Sequence, residues 1–279
     1  DYFATPNRNV NYKIERHPEK WEAFKTYTHS QIGELMSNYG TIDILWLDGG
    51  WVSPRNNQDI DMPQIAAMAR AKQPGLLVVD RTIHGKYENY QTPEQKIPEH
   101  QLPYPWESCV TLTTDWGWVK NPVYKTPNRI ISILMEVVAK GGNLLLGVGP
   151  TAEGLIEQPT VKRLQEIGRW MQKNGKAIFH TRITPNYHCG NVWFTADKNG
   201  RTLYALYALP EGETLPAVIE WEGNVPERGT SVRLLSTGQR MKWIERDGKV
   251  AVALPAKLAG STEPIALQFD TPLPKQNKK

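Results

Sequence analysis

The 279 residues are 39% hydrophobic and 22% charged, with a formal net charge of +4, which is enough chain for two cores or one large one. The 10 Trp, 11 Tyr and 5 Phe exclude a disordered chain, and no run approaches the ~18 consecutive apolar residues of a membrane-spanning helix. Basic residues are scattered apart from Lys275, Lys278 and Lys279, which read as a solvated tail and leave nucleic-acid binding without support.

Residues 1–18 read as loop. From Glu19 to Met36, Trp21, Phe24, Ile32 and Leu35 recur at helical spacing, and Tyr39-Gly40 ends the run. A nearly continuous apolar strand, Ile42 to Leu47, leads into Asp48-Gly49-Gly50. Met62 to Ala71 reads as a helix, and Leu76 to Val79 as a buried strand ending in Asp80-Arg81. After a polar loop, Trp106 to Leu112 is a candidate strand. An apolar helix follows over Ile130 to Ala139, closed by Gly141-Gly142. Asn143 to Val148 is a fourth strand, and Thr160 to Lys173 an amphipathic helix.

Alternating helices and wholly apolar strands predict a parallel sheet covered by helices on both faces. The pattern changes near residue 180. Strand-like runs follow at 192–196, 202–208, 217–222, 231–235, 241–245, 250–254 and 264–269, with Asn199-Gly200 and Asp247-Gly248 as hairpin turns. This half reads as an antiparallel β-sandwich without helix, in which Trp193, Trp221 and Trp243 are core residues. Cys109 and Cys189 form no CxxC and no metal-ligand spacing, and read as two buried thiols. The chain opens on Asp and reads as an excised segment, so the lack of a targeting sequence carries no information.

In an α/β barrel the functional groups sit at the C-terminal ends of the strands. That rule selects Asp48, Asp80-Arg81, the Trp106-Glu107 region and residues 143–150. Asp48 is the sharpest candidate, because two glycines after it allow close approach of another group; a turn-forming Asp is the alternative. Trp51, Trp116 and Trp118, in glycine-flanked loops beyond strands, are candidates to pack against sugar C–H faces, whereas Trp46 lies within a strand and reads as core. Carboxylates beyond strand ends are Asp48, Asp80, Glu94, Glu99, Glu107 and Asp115, enough for the acid and nucleophile of a retaining glycosidase. HExxH, GxSxG, P-loop and complete GxGxxG patterns are absent.

The run Tyr39 to Trp51 (YGTIDILWLDGGW) resembles the nucleophile strand of the α-L-fucosidases of glycoside hydrolase family 29. Further pieces match in order: Ala4 to Tyr12, Val79-Asp80-Arg81, Tyr90 to Glu94, Trp106 to Cys109, Trp116-Gly117-Trp118, Gly142 to Leu146 with Val148 to Thr151, and Asn174 to Ile178. The likeness runs from residue 1 to about 182. It implies an α/β chain: residues 1–180 as the C-terminal portion of a TIM-type (β/α)8 barrel lacking its first strands, and residues 181–279 as the sandwich with a frayed basic tail. The missing strands carry family histidines and a tyrosine that bind fucose hydroxyls, so the segment alone is expected to hold an incomplete pocket.

The resemblance implies a retaining exo-α-L-fucosidase that acts on a fucosylated glycan or small fucoside, with no metal or organic cofactor and no membrane insertion, in a periplasmic or secreted setting. Asp48 matches the nucleophile, Arg81 the arginine near the sugar ring, and Trp116 the aromatic beside the C5 methyl group. The acid/base varies in position within the family. Glu107 is favoured, because burial beside Trp106 raises a carboxyl pKa toward the range a general acid needs; Glu94, in a loop able to close over substrate, is the alternative. A catalytically silent carbohydrate binder and a retaining glycosidase of other specificity are the competing readings.

Overall fold

The computed structural model describes residues 14–49, 52–81 and 85–272. Trp51, the 4–12 motif and the terminal lysines lie outside the described residues. The chain forms two compact units that divide between Thr92 and Pro93. No helix among the described residues is long and apolar enough to cross a membrane.

The first unit holds α1 (Pro18–Asn38), β1 (Ile44–Leu47), α2 (Met62–Lys72) and β2 (Leu77–Asp80). Pro18 opens α1, where the missing N–H is one that a helix leaves unpaired anyway. Asp61 caps α2 by accepting from Gln64 N at 3.2 Å. β1 and β2 pair in parallel, from Ile44 opposite Leu77 to Leu47 opposite Asp80. Trp21, Ile32 and Met36 of α1 and Met62, Ile65 and Ala69 of α2 pack on Leu45 and Val78. The alternate strand residues Ile44 and Leu77 are exposed.

The second unit begins with β3 (Glu107–Thr111), α3 (Pro127–Ala139), β4 (Asn143–Gly147) and α4 (Gln158–Asn174). β3 and β4 are parallel, from Glu107 opposite Asn143 to Thr111 opposite Gly147. Val110, Leu144 and Leu146 pack against Ile130, Ile133 and Val137 of α3, while Leu145 stays exposed. The chain leaves α3 through a Schellman turn: Gly142 N donates to Val137 O at 2.9 Å and Gly141 N to Val138 O at 3.0 Å. Gly141 takes φ +86°, which glycine adopts without a Cβ penalty.

Among the described residues each unit holds one parallel strand pair. One expectation is corrected: within each unit the helices pack on one strand face, not both. Continuous apolar runs cannot reveal this, because the uncovered positions Ile44, Leu77 and Leu145 are as apolar as the covered ones.

The rest of the second unit is one eight-stranded antiparallel sheet of β5 (His188–Cys189), β6 (Val192–Ala196), β7 (Thr202–Tyr207), β8 (Val218–Glu222), β9 (Val232–Leu234), β10 (Arg240–Arg246), β11 (Lys249–Ala253) and β12 (Ile265–Asp270), in the order β5-β6-β7-β12-β9-β10-β11-β8. β10 pairs with β9 through Arg240 and Met241, and with β11 from Lys242 onward, so the sheet folds over at that strand. Its outer strands then meet: Glu222 N, on β8, donates to Cys189 Sγ, on β5, at 3.3 Å. The expected sandwich is therefore a single folded sheet, nearly closed, around Phe194, Trp221 and Phe269. Cys189 is only half-buried and Cys109 fully buried; both are free thiols. The two-residue β5 is too short to show alternation in the sequence. Trp221 is core, and Trp193 and Trp243 are partly buried against the packed clusters. On the outer face, Ile131, Met135 and Trp170 pack on Tyr204, Leu206 and Ala266.

Candidate active site

In the first unit, the parallel register makes neighbours of the two residues that follow the strands. Leu47 lies opposite Asp80, so Asp48 and Arg81 emerge side by side. Arg81 Nη1 donates to Asp48 Oδ1 at 2.9 Å. The guanidinium is largely buried and the carboxylate open, with side-chain exposures of 13% and 68%. Beneath them, the Arg81 guanidinium lies 4.7 Å from the ring centroid of Trp46. The two-residue period of a strand sets Trp46 and Asp48 on the same face, opposite the helix-packed Leu45 and Leu47. Trp46 thus serves as a platform for the arginine rather than as helix-side core. Strand parity was the available signal for that role. A cavity of about 90 Å³ lies between Asp48 and the helices, well below the ~300 Å³ at which ligand pockets begin. The other side of Asp48 is open, the side chain being 68% exposed.

The second unit carries both candidate acids. Glu107 opens β3 and is half-buried; burial raises its pKa above the ordinary 4.5. Glu94 is exposed, yet its backbone is part of the sheet. It forms a parallel bridge with Cys109, flanked by Cys109 N donating to Pro93 O at 3.1 Å and Gln95 N donating to Cys109 O at 2.8 Å. Glu94 therefore sits two residues nearer the C-terminal end of β3 than Glu107, roughly 6–7 Å along the strand. The loop expected to swing over substrate is anchored at this point.

Beyond the same end of β3, Trp116 and Trp118 are half exposed, at 49% and 47%. Their loop is seated by glycines. A Cβ on Gly147 would contact the Trp116 ring at 3.5 Å, and one on Gly149 would lie 2.5 Å from Gly117 C and Trp118 N. Lys125 Nζ donates to Thr111 O at 2.7 Å and to Thr113 O at 3.0 Å, closing the strand end; burial lowers the Lys125 pKa, and Arg129 adds to the effect. Among the described residues, no group of three or more His, Cys, Asp or Glu side chains is arranged to hold a metal ion.

The profile of the family described as Alpha-L-fucosidase matches residues 2–176. The chain belongs to the α-L-fucosidase family. Among this family's curated members, the human plasma α-L-fucosidase is 30% identical over 251 residues, covering 82% of this chain and 51% of that protein. The mouse tissue α-L-fucosidase is 28% identical over 309 residues, covering 98% and 66%. Among solved structures, α-L-fucosidase isoenzyme 1 of Paenibacillus thiaminolyticus matches with a TM-score of 0.78 at 26% identity, over 94% of this chain and 69% of that one. The α-fucosidase of Thermotoga maritima matches at 0.71 and 27% identity, over 88% and 56%. The chain spans about half to two thirds of the length of the fucosidases it matches. Family members are glycoside hydrolases, which agrees with a strand-end carboxylate held by an arginine.

Proposed function

We propose that this chain carries the nucleophile-bearing part of a retaining exo-α-L-fucosidase. The observation that carries the reading is the Asp48–Arg81 pair at the shared C-terminal end of β1 and β2, the end at which α/β barrels bear their chemistry. On this reading the two parallel pairs belong to a TIM-type barrel that ends near residue 180, and the folded sheet follows it in sequence, packed against α3 and α4.

Asp48 attacks the anomeric carbon of the bound fucoside, forming a glycosyl ester as the glycosidic bond breaks. A general acid protonates the departing oxygen. The same group then takes a proton from water, which hydrolyses the ester and releases L-fucose with retained configuration. Arg81 orients the Asp48 carboxylate and contacts the sugar. Trp116 offers its exposed face to the apolar side of fucose, with Trp51 as a second aromatic contact.

For the acid/base, strand direction and burial pull apart. Glu107 has the raised pKa suited to an acid, but it opens β3 at the end remote from barrel chemistry. Glu94 lies nearer the productive end on a backbone fixed by the sheet. Position outweighs pKa here, because a proton donor must reach the glycosidic oxygen before its pKa matters. We therefore assign the acid/base to Glu94, with Glu107 as the competitor.

The test is hydrolysis of an aryl α-L-fucoside by two forms of the chain: alone, and joined behind the N-terminal barrel strands of the Paenibacillus fucosidase. Activity in the joined form that Asp48→Ala abolishes supports the reading. A joined form that binds L-fucose in calorimetry without turnover overturns it in favour of a silent carbohydrate binder. Faster hydrolysis of an aryl galactoside overturns the sugar assignment.

A further inference from the structure

We infer that Gln95 and Thr111 form a positioning pair that fixes Glu94 against the end of β3 and ties it to the loop bearing Trp116; the inference rests on the assignment of Glu94 as acid/base. Gln95 directly follows Glu94 and holds φ +52°, a left-handed conformation unusual for a residue with a side chain. Such a conformation persists when surrounding contacts over-determine it, and here they do. Its backbone N donates to Cys109 O at 2.8 Å. Its side-chain Nε2 donates to Thr111 Oγ1 at 2.9 Å, and Thr111 N approaches Gln95 Oε1 at 3.4 Å. One side chain thus engages both the backbone N–H and the hydroxyl of the last residue of β3.

The chain of bonds continues outward. Thr111, 1% exposed, donates a hydrogen bond from its hydroxyl to Thr113 O at 2.6 Å. Thr113 Oγ1 donates to Asp115 O at 2.9 Å, one residue before Trp116. Lys125 Nζ closes the network on the Thr111 and Thr113 carbonyls. A left-handed residue reverses the chain sharply. With its amide clamped to Thr111, the turn is locked and the preceding Glu94 leaves the sheet in one direction. Glutamine suits the clamp because its amide both donates and accepts. Neither Gln95 nor Thr111 contacts the reacting atoms; both act through Glu94.

A displaced proton donor penalises substrates whose leaving group needs protonation and spares those whose leaving group departs unaided. The experiment compares Glu94→Ala, Gln95→Ala, Thr111→Val and Thr111→Ser in the joined form, on an alkyl α-L-fucoside and on 2,4-dinitrophenyl α-L-fucoside. Misplacement by about 1 Å costs on the order of 10²-fold. Gln95→Ala and Thr111→Val are therefore expected to lose about 10- to 100-fold in kcat/KM on the alkyl substrate and under about twofold on the dinitrophenyl one. Thr111→Ser keeps the hydroxyl and is expected to stay near the parent. Thr111→Val is close to isosteric, so a melting temperature near the parent's separates positioning from unfolding.

Two failures are distinguishable. If Glu94→Ala discriminates between the substrates but Gln95→Ala and Thr111→Val slow both equally or neither, the positioning role is wrong and Glu94 stands. If Glu94→Ala itself does not discriminate, the acid/base assignment falls, and the positioning pair falls with it.

Discussion

Arg81 donates to Asp48 across 2.9 Å while its guanidinium rests 4.7 Å from the centroid of the Trp46 ring. The arginine is held from below by a π face and reaches up to the carboxylate. On the proposed mechanism Asp48→Ala removes the attacking group, and it is expected to lower kcat/KM by about three orders of magnitude or more in the joined form. Arg81→Lys keeps the charge but loses the planar fork and the stacked fit. It is expected to cost roughly 10- to 100-fold, about 1.4–2.8 kcal/mol of transition-state stabilisation. Steady-state kinetics on an aryl fucoside measures both; unchanged activity in Arg81→Lys would show that charge alone is required.

Trp46 allows its platform role to be separated from its bulk. Its indole Nε1 is buried with no hydrogen-bond partner among the described residues, so the ring's value lies in its face. Trp46→Phe keeps a π face and discards that N–H. It is expected to retain fold stability within about 1 kcal/mol and most of the activity. Trp46→Leu keeps apolar volume but no π face, and is expected to lower kcat/KM about tenfold by freeing Arg81. Equal activity in the Phe and Leu variants would assign Trp46 to packing alone.

Glu107 supplies a pH test independent of catalysis. Burial raises its folded pKa above the ordinary 4.5, so the folded state binds its proton more tightly than the unfolded state. Its contribution to stability is most favourable below pH 4.5 and declines as pH rises through the folded pKa. Glu107→Gln removes that decline. The variant is expected to melt higher than the parent at pH 7–8, with the difference shrinking toward pH 4 as the parent's carboxyl becomes neutral. Melting curves across this range are the measurement; a difference independent of pH would mean that the carboxyl titrates no differently in the folded chain.

The order of elements was legible because helical periodicity and apolar strand runs are local signals. α1 to α4 lie within three residues of their expected ends, and Asp247-Gly248 makes its tight turn with φ +51° and +80°. The run of strands after residue 180 was legible from alternation. Strand partnership was not, since nothing in Ile42 to Leu47 or Trp106 to Leu112 says which strands pair or which face the helices take. The site divided along the same line. Asp48 and Arg81 were readable as strand-end residues, and the Leu47–Asp80 register explains their meeting. Gln95 was invisible, because its importance comes from a left-handed backbone and a bond to Thr111 sixteen positions away. Glu94 was readable as a loop carboxylate, whereas its bridge to Cys109 is a long-range pairing without a sequence signature.

Trp106 and Gly142 show how tightly the second unit is built behind that strand. Trp106, 2% exposed, covers the end of the Schellman turn so closely that a Cβ on Gly142 would lie 2.5 Å from its ring carbons. The ring belongs to the cluster of Val110, Ile130 and Val137 and cannot move aside without disturbing it. Gly142→Ala must therefore shift the indole or the turn, and is expected to destabilise the chain by about 1–3 kcal/mol. Because Asn143 N donates to Trp106 O at 3.0 Å, at the entrance to β4, the strain falls first on the β3–β4 pairing. Urea unfolding measures the total. Amide exchange at Asn143 and Leu145 should accelerate more than exchange within β10 and β11, which pack in the separate cluster around Trp221 and Val250; uniform acceleration throughout the unit would show that the strain is spread rather than local.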